Sequence, residues 1–117
     1  MTDTSEPPIL LVAGANPTDV AELSNLVREI APECMLLQAS DCQHVRLLIE
    51  HHTPDAVFLI ASGQQTFEQC FQLRKNPLIA LIPVAFFMRN PAPSFCVQAL
   101  DAGANVCMKL PPERLEL

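Results

Sequence analysis

Short apolar runs and longer amphipathic stretches alternate along the whole chain. Ile9–Ala13 (ILLVA) is a continuous apolar run, the pattern of a strand covered on both faces. Asn16-Pro17-Thr18-Asp19 carries turn and helix-start chemistry. Val20, Leu23, Val27 and Ile30 then fall on one helical stripe that Pro32 ends. Cys34–Gln38 predicts a second strand. Ser40 or Asp41 caps a second helix, with Val45, Leu48 and Ile49 inward and Arg46 and Glu50 outward. Thr53-Pro54-Asp55 breaks that helix. Ala56–Ala61 (AVFLIA) predicts a third strand and is the most apolar run, so it belongs at the centre of a sheet. After a loop at Ser62–Gln65, Thr66–Lys75 predicts a third helix with Phe67, Cys70, Phe71 and Arg74 on one face, ended by Asn76-Pro77.

Val84–Met88 (VAFFM) predicts a fourth strand, and Asn90–Pro93 a loop. Ser94–Ala102 predicts a short helix ended by Gly103, the residue type expected just past a helix end. Val106–Leu110 predicts a fifth strand. Strands alternating with helices at this spacing imply βαβ units, a parallel sheet and right-handed crossovers that put helices on both faces. Five such strands suit the flavodoxin-like order 2-1-3-4-5. Residues 1–117 read as one domain behind a flexible tail at 1–8. After Pro111-Pro112, Glu113–Leu117 is long enough for about one turn of a fifth helix. That helix is therefore expected to be truncated or absent, with the chain cut from a longer protein or the missing cover supplied by a partner.

Composition narrows the function. Half of the 117 residues are hydrophobic, enough for a real core and against extended disorder. A net charge of −6, with seven scattered Lys and Arg, argues against a nucleic-acid surface. No apolar run approaches the length of a membrane span. Five cysteines (Cys34, Cys42, Cys70, Cys96 and Cys107) are odd in number and far apart, with no C-x-x-C. They are expected as reduced thiols of a cytoplasmic protein, several buried as small hydrophobes. His44, His51 and His52 have no third ligand placed by spacing, so no metal site is expected. Ala13-Gly14-Ala15-Asn16 lies where α/β folds bind anions, but lacks the glycine spacing of a nucleotide loop.

Several segments in order carry a resemblance. Ile9–Val12 with Asn16-Pro17-Thr18-Asp19, Pro54–Leu59, Phe67-Glu68 with Leu73-Arg74 and Ile82-Pro83-Val84, and Asp101–Asn105 resemble the spine of the bacterial response-regulator receiver family, the CheY-like domains. The resemblance covers nearly the whole chain and implies that same five-stranded sheet. It also implies where a reactive set would stand. The family's phospho-acceptor Asp falls on Ile60, and its Mg²⁺-binding acid pair on Gly14 and Ala15, or on Ala13 and Gly14. Its hydroxyl residue falls on Met88 and its Lys on Leu110, while Lys109 is one residue early and should point away from the site. An isoleucine cannot act as the nucleophile, and Mg²⁺ needs oxygen ligands. The family's mobile aromatic falls on Cys107.

The expectation is a pseudo-receiver: no enzyme, no cofactor and no catalytic residue, with an old pocket filled by Ile60, Met88 and Leu110. It would act by protein–protein contact on its own output domain or a partner, or as a homodimer, without phosphorylation. Phe95, Val106, Cys107, Met108 and Lys109 are the candidate interaction face. The rival expectation is a sensor that binds a small molecule in the degenerate pocket.

Overall fold

A computed structural model describes residues 7–40, 42–61, 64–75, 81–89 and 93–110. The elements run β1 (Ile9–Ala13), α1 (Pro17–Ile30), β2 (Met35–Ala39), α2 (Cys42–His51), β3 (Ala56–Ile60), α3 (Gln64–Lys75), β4 (Val84–Met88), α4 (Pro93–Asp101) and β5 (Val106–Lys109). The five strands form one parallel sheet in the order β2-β1-β3-β4-β5, a flavodoxin-like α/β fold of the CheY type. The expected cap at Asp41, parts of the loops at 62–65 and 90–93, the break at Asn76-Pro77 and the segment Glu113–Leu117 lie outside the described residues.

Alternation along each strand splits the core into two layers. Val57, Leu59, Val84 and Phe86 face one side with Val45, Ile49, Cys70, Leu73 and Ala99 of α2, α3 and α4. Phe58, Ile60, Ala85 and Phe87 face the other with Val20, Leu23 and Val27 of α1. Phe86 and Phe87, fully buried neighbours, point in opposite directions. A fully buried side chain of this kind contributes about 1.5–3 kcal/mol. Phe58 and Phe87 add an inclined ring contact with centroids 5.0 Å apart.

Helix α1 follows its sequence closely. Pro17 stands in the first helical turn, and the Asn16 side chain accepts hydrogen bonds from the Thr18 and Asp19 backbone N–H groups at 2.9 and 3.4 Å. Ile30, expected on the inward stripe, is instead exposed at the last helical residue, past Val27, which is the last to reach the core. Strand β2 starts one residue later than expected. The Cys34 N–H is bound to the Ala31 carbonyl in the turn after α1, so pairing with β1 begins at Met35.

Helix α3 is rotated from its expected face. Cys70 and Leu73 are buried and Phe71 is exposed, with the Lys75 ammonium 4.6 Å from its ring centre. Arg74, on the same helix, reaches under the turn from α4 to β5. It donates from Nε to the Gly103 carbonyl (2.8 Å), from Nη1 to the Ile82 carbonyl (2.6 Å) and from Nη2 to Asn105 Oδ1 (2.5 Å). Asn105 Oδ1 also accepts from the Val84 N–H at 2.8 Å, tying the start of β4 to the same turn. Gly103 has φ of +114°, and a Cβ there would lie 2.6 Å from Arg74 Cγ, so glycine is required twice over. At the same end of the sheet, Asp55 Oδ2 accepts from the Ile9 N–H at 2.7 Å and fixes the start of β1.

Asn105→Ala removes the shared acceptor of Val84 and Arg74. It should lower unfolding stability by about 1–3 kcal/mol, whereas Leu81→Ser at a fully exposed position should stay within about 0.5 kcal/mol. Urea unfolding midpoints of the two variants against the parent chain measure the contrast.

Candidate functional site

The carboxyl edge of the sheet is built from the residues just past β1, β3, β4 and β5. Hydrogen bonding continues one residue beyond the strands: Gly14 N–H to the Ala39 carbonyl (3.1 Å), Ala61 N–H to Phe87 (2.7 Å) and Leu110 N–H to Met88 (2.7 Å). The candidate positions are therefore held by a regular ladder. Ala13 pairs with Leu59 in register, which sets Gly14 beside Ile60. A Cβ added at Gly14 would stand 3.1 Å from Ile60 Cβ and 3.2 Å from Val20 Cγ2. A side chain at 14 would be tight against Ile60 and Val20, which would have to give by a few tenths of an ångström.

Ile60 and Leu110 are buried in the α1-side core, at 4% and 1% exposure. Ala15 is exposed, and Met88 ends β4 half-buried. Lys109 pairs with Met88 in register and is exposed, on the opposite side of the strand from Leu110. The structure thus brings Gly14, Ile60 and Leu110 to one layer, with Ala15 and Met88 at the rim. The Mg²⁺ that the fold family implies needs oxygen ligands. Ala13, Gly14, Ala15 and Ile60 offer no side-chain oxygen, so these positions do not fit the ion. Among the described residues, no group of three or more His, Cys, Asp or Glu could hold a metal.

A charged bridge crosses this edge that was not anticipated from the sequence. Arg89, directly after β4, reaches α1 and donates from Nη2 to Asp19 Oδ1 and Glu22 Oε1, both at 2.5 Å, and from Nε to Asp19 Oδ1 at 3.1 Å. The Glu22 and Asp19 carboxylates hold the guanidinium above its ordinary pKa. The available signal was the spacing of Asp19 and Glu22, three residues apart on a helix. Their partner comes from the far side of the sheet. With Arg89 engaged, Asp19 and Glu22 are occupied by a cation of this chain.

Beside Gly14 lies a cleft of about 390 Å³ between α1 and α2, lined by Gly14, Ala15, Val20, Gln38, Ser40 and His44 among others. Gln38 Nε2 donates to the buried Ser24 hydroxyl at 2.9 Å. His51 is exposed and His52 half-buried. The candidate interaction residues divide between layers. Phe95 and Cys107 pack on the α2–α4 side, Met108 packs on the α1 side, and Val106 and Lys109 are exposed.

No family model matches the chain, and no curated protein sequence matches it. Solved structures do match, among them response regulators and signal receiver domains. A chain assigned as a response regulator from Chloroflexus aurantiacus superimposes with a TM-score of 0.83 at 22% identity, over 94% of this chain and 90% of that one. The signal receiver domain of a DNA-binding response regulator from Colwellia psychrerythraea gives 0.79 at 18%, over 91% and 88%. Chemotaxis response regulator CheY4 of Vibrio cholerae gives 0.79 at 12%, over 93% and 91%. The likeness establishes the fold of the chain.

Ile60→Asp places a carboxylate among Val20, Phe87 and Leu110. Without a partner it should cost about 3–5 kcal/mol at neutral pH. Burial raises the folded-state pKa of such a group above its unfolded value. The folded chain then binds more protons than the unfolded one, and stability falls as pH rises. The deficit relative to the parent chain should shrink between pH 7 and pH 4, read from urea midpoints at each pH.

Proposed function

We propose that this chain is a phosphorylation-independent receiver-type module of bacterial two-component signalling, a pseudo-receiver that works through its surfaces. The observation that carries the reading is Ile60, seated against Gly14 and buried with Leu110 where active receivers keep an acid and a lysine. Acyl phosphate formation needs a nucleophilic carboxylate, and a hydrocarbon offers none. The substituted positions are Gly14 and Ala15 (or Ala13 and Gly14) for the acid pair, Ile60 for the acceptor Asp, Met88 for the hydroxyl and Leu110 for the Lys. Replacing them together avoids the uncompensated charge that a partial set would leave in a partly buried site.

In this reading the module is cytoplasmic and not an enzyme. It regulates an output domain of its own or a separate protein by contact or by dimerisation. Exposed Val97 and Leu100 on α4 and Val106 on β5 give that part of the surface apolar character. The fold likeness to the receiver domain of a DNA-binding regulator supports an attached or partner output function. Among the described residues no helix is long and apolar enough to cross a membrane.

The cleft beside Gly14 supports a second reading, a small-molecule sensor. It opens at the carboxyl ends of β1 and β2, the edge where parallel α/β sheets bind ligands, and its volume suits a small effector.

Incubation with acetyl phosphate, or with beryllofluoride and Mg²⁺, should give no phosphoryl mass increment and no amide shifts around Ile60. A stable adduct, or specific shifts at Ile60, Met88 and Leu110, would sink the proposal. Shifts confined to Gly14, Gln38 and His44 with a small effector would favour the sensor.

A further inference from the structure

Cys107 pairs in register with Phe86 in β4 and faces the α2–α4 layer, packed on the core that contains Phe86, Ala99 and Ala104. On α4, Phe95 and Ala99 turn toward the same core. Cys96 lies one residue after Phe95 and three before Ala99, so it borders the same seam. Both residues are half-buried at this seam, and their side chains are close enough to interact electrostatically. Cys34 packs on the opposite layer, and Cys70 is fully buried on α3. The resemblance to receivers puts a mobile aromatic at position 107. This chain has a thiol there, close to a second thiol on the neighbouring helix.

We infer that Cys96 and Cys107 form a reversible redox clasp, in which a disulfide ties α4 to β5 and its reduction releases them. The oxidant is a peroxide. The Cys96 thiolate attacks one peroxide oxygen, the O–O bond breaks, and sulfenic acid and water form. The Cys107 sulfur then attacks the Cys96 sulfur, the S–O bond breaks, and a second water leaves. Two thiols and one hydrogen peroxide thus give one disulfide and two waters. A dithiol reverses the step by exchange and is itself oxidised to a disulfide. The order of attack follows from the surroundings. Burial and the adjoining Cys96 push the Cys107 thiol up to about 12, so it stays protonated and acts second.

Helix α4 spans nine residues and carries exposed Val97 and Leu100. A covalent tie at Cys96 limits the movement of that surface against β5. The consequence for signalling rests on the proposed function above, whereas the disulfide itself does not.

The test uses the full chain, reduced and then treated with hydrogen peroxide at neutral pH, alkylated and digested without reductant. Trypsin releases Asn90–Lys109 as one peptide that holds Cys96 and Cys107 and no other cysteine. The expected result is loss of two hydrogen atoms from this peptide, with no alkylation of it, restored by dithiothreitol. Further cleavage at Asp101 should leave two fragments joined. Formation should be faster in the folded chain than in urea. Cys107→Ser should leave Cys96 trapped by dimedone as sulfenic acid, whereas Cys96→Ser should leave Cys107 unoxidised.

Alkylation of both thiols after peroxide, or linkage no faster in the folded chain than in urea, would overturn the inference. So would scrambled links to Cys34, Cys42 or Cys70. If the serine variants do not fold, the peptide map of the parent chain decides alone. Acetyl phosphate plays no part in this readout, so failure here leaves the proposed function standing, and the reverse also holds.

Discussion

Strand β3 lies in the middle of a parallel sheet and has to bury side chains on both faces along its whole length. Val57 and Leu59 serve the α2–α4 layer while Phe58 and Ile60 serve the α1 layer, and none of the four can be polar without a partner. In this chain that demand runs to the last residue of the strand. Ile60 belongs to the core. It stands close against Gly14, and with Leu110 it continues the packing of Phe87 and Val20 up to the rim. The edge of the sheet that carries chemistry in many α/β folds is here an extension of the hydrophobic interior.

Polar ties then work at the two ends of the sheet, outside that interior. At the amino end, Asp55, Asn105 and Arg74 fix strand starts and the turn from α4 to β5. At the carboxyl end, Arg89 links the exit of β4 to Asp19 and Glu22 of α1. That bridge is partly solvated at Arg89 and Glu22, so its effect is to orient α1 over the edge more than to add stability. Among the described residues the surface also carries the cleft beside Gly14 and the seam where α4 meets β5.

Much of the fold was legible in sequence because parallel strands buried on both faces read as uninterrupted apolar runs. The limits of β1 and β4 are as predicted, and the remaining strand boundaries move by about one residue. The face of α3 was not legible. Phe71 looks like a better core residue than Leu73 on periodicity alone, but Leu73 is buried and Phe71 exposed beside Arg74, whose partners lie 8, 29 and 31 residues away in the chain. The bridge of Arg89 to α1 spans 70 and 67 residues, and no local pattern encodes it. The candidate interaction face follows from the expected missing fifth helix, which would uncover α4 and β5. Alternation along β5 sends Cys107 and Met108 to opposite layers.

The sequence by itself determined the order and kind of the elements, the flavodoxin-like strand order, and the absence of a carboxylate or lysine at the positions that Ile60 and Leu110 occupy. These follow from local patterning and residue identity, which need no partner. Only the tertiary structure decided that Gly14 and Ile60 share one space, that Arg89 closes over α1, and that Cys96 comes close to Cys107. Each of those joins residues from different βα units, and only the stacking of helices on a common sheet sets the distance between them.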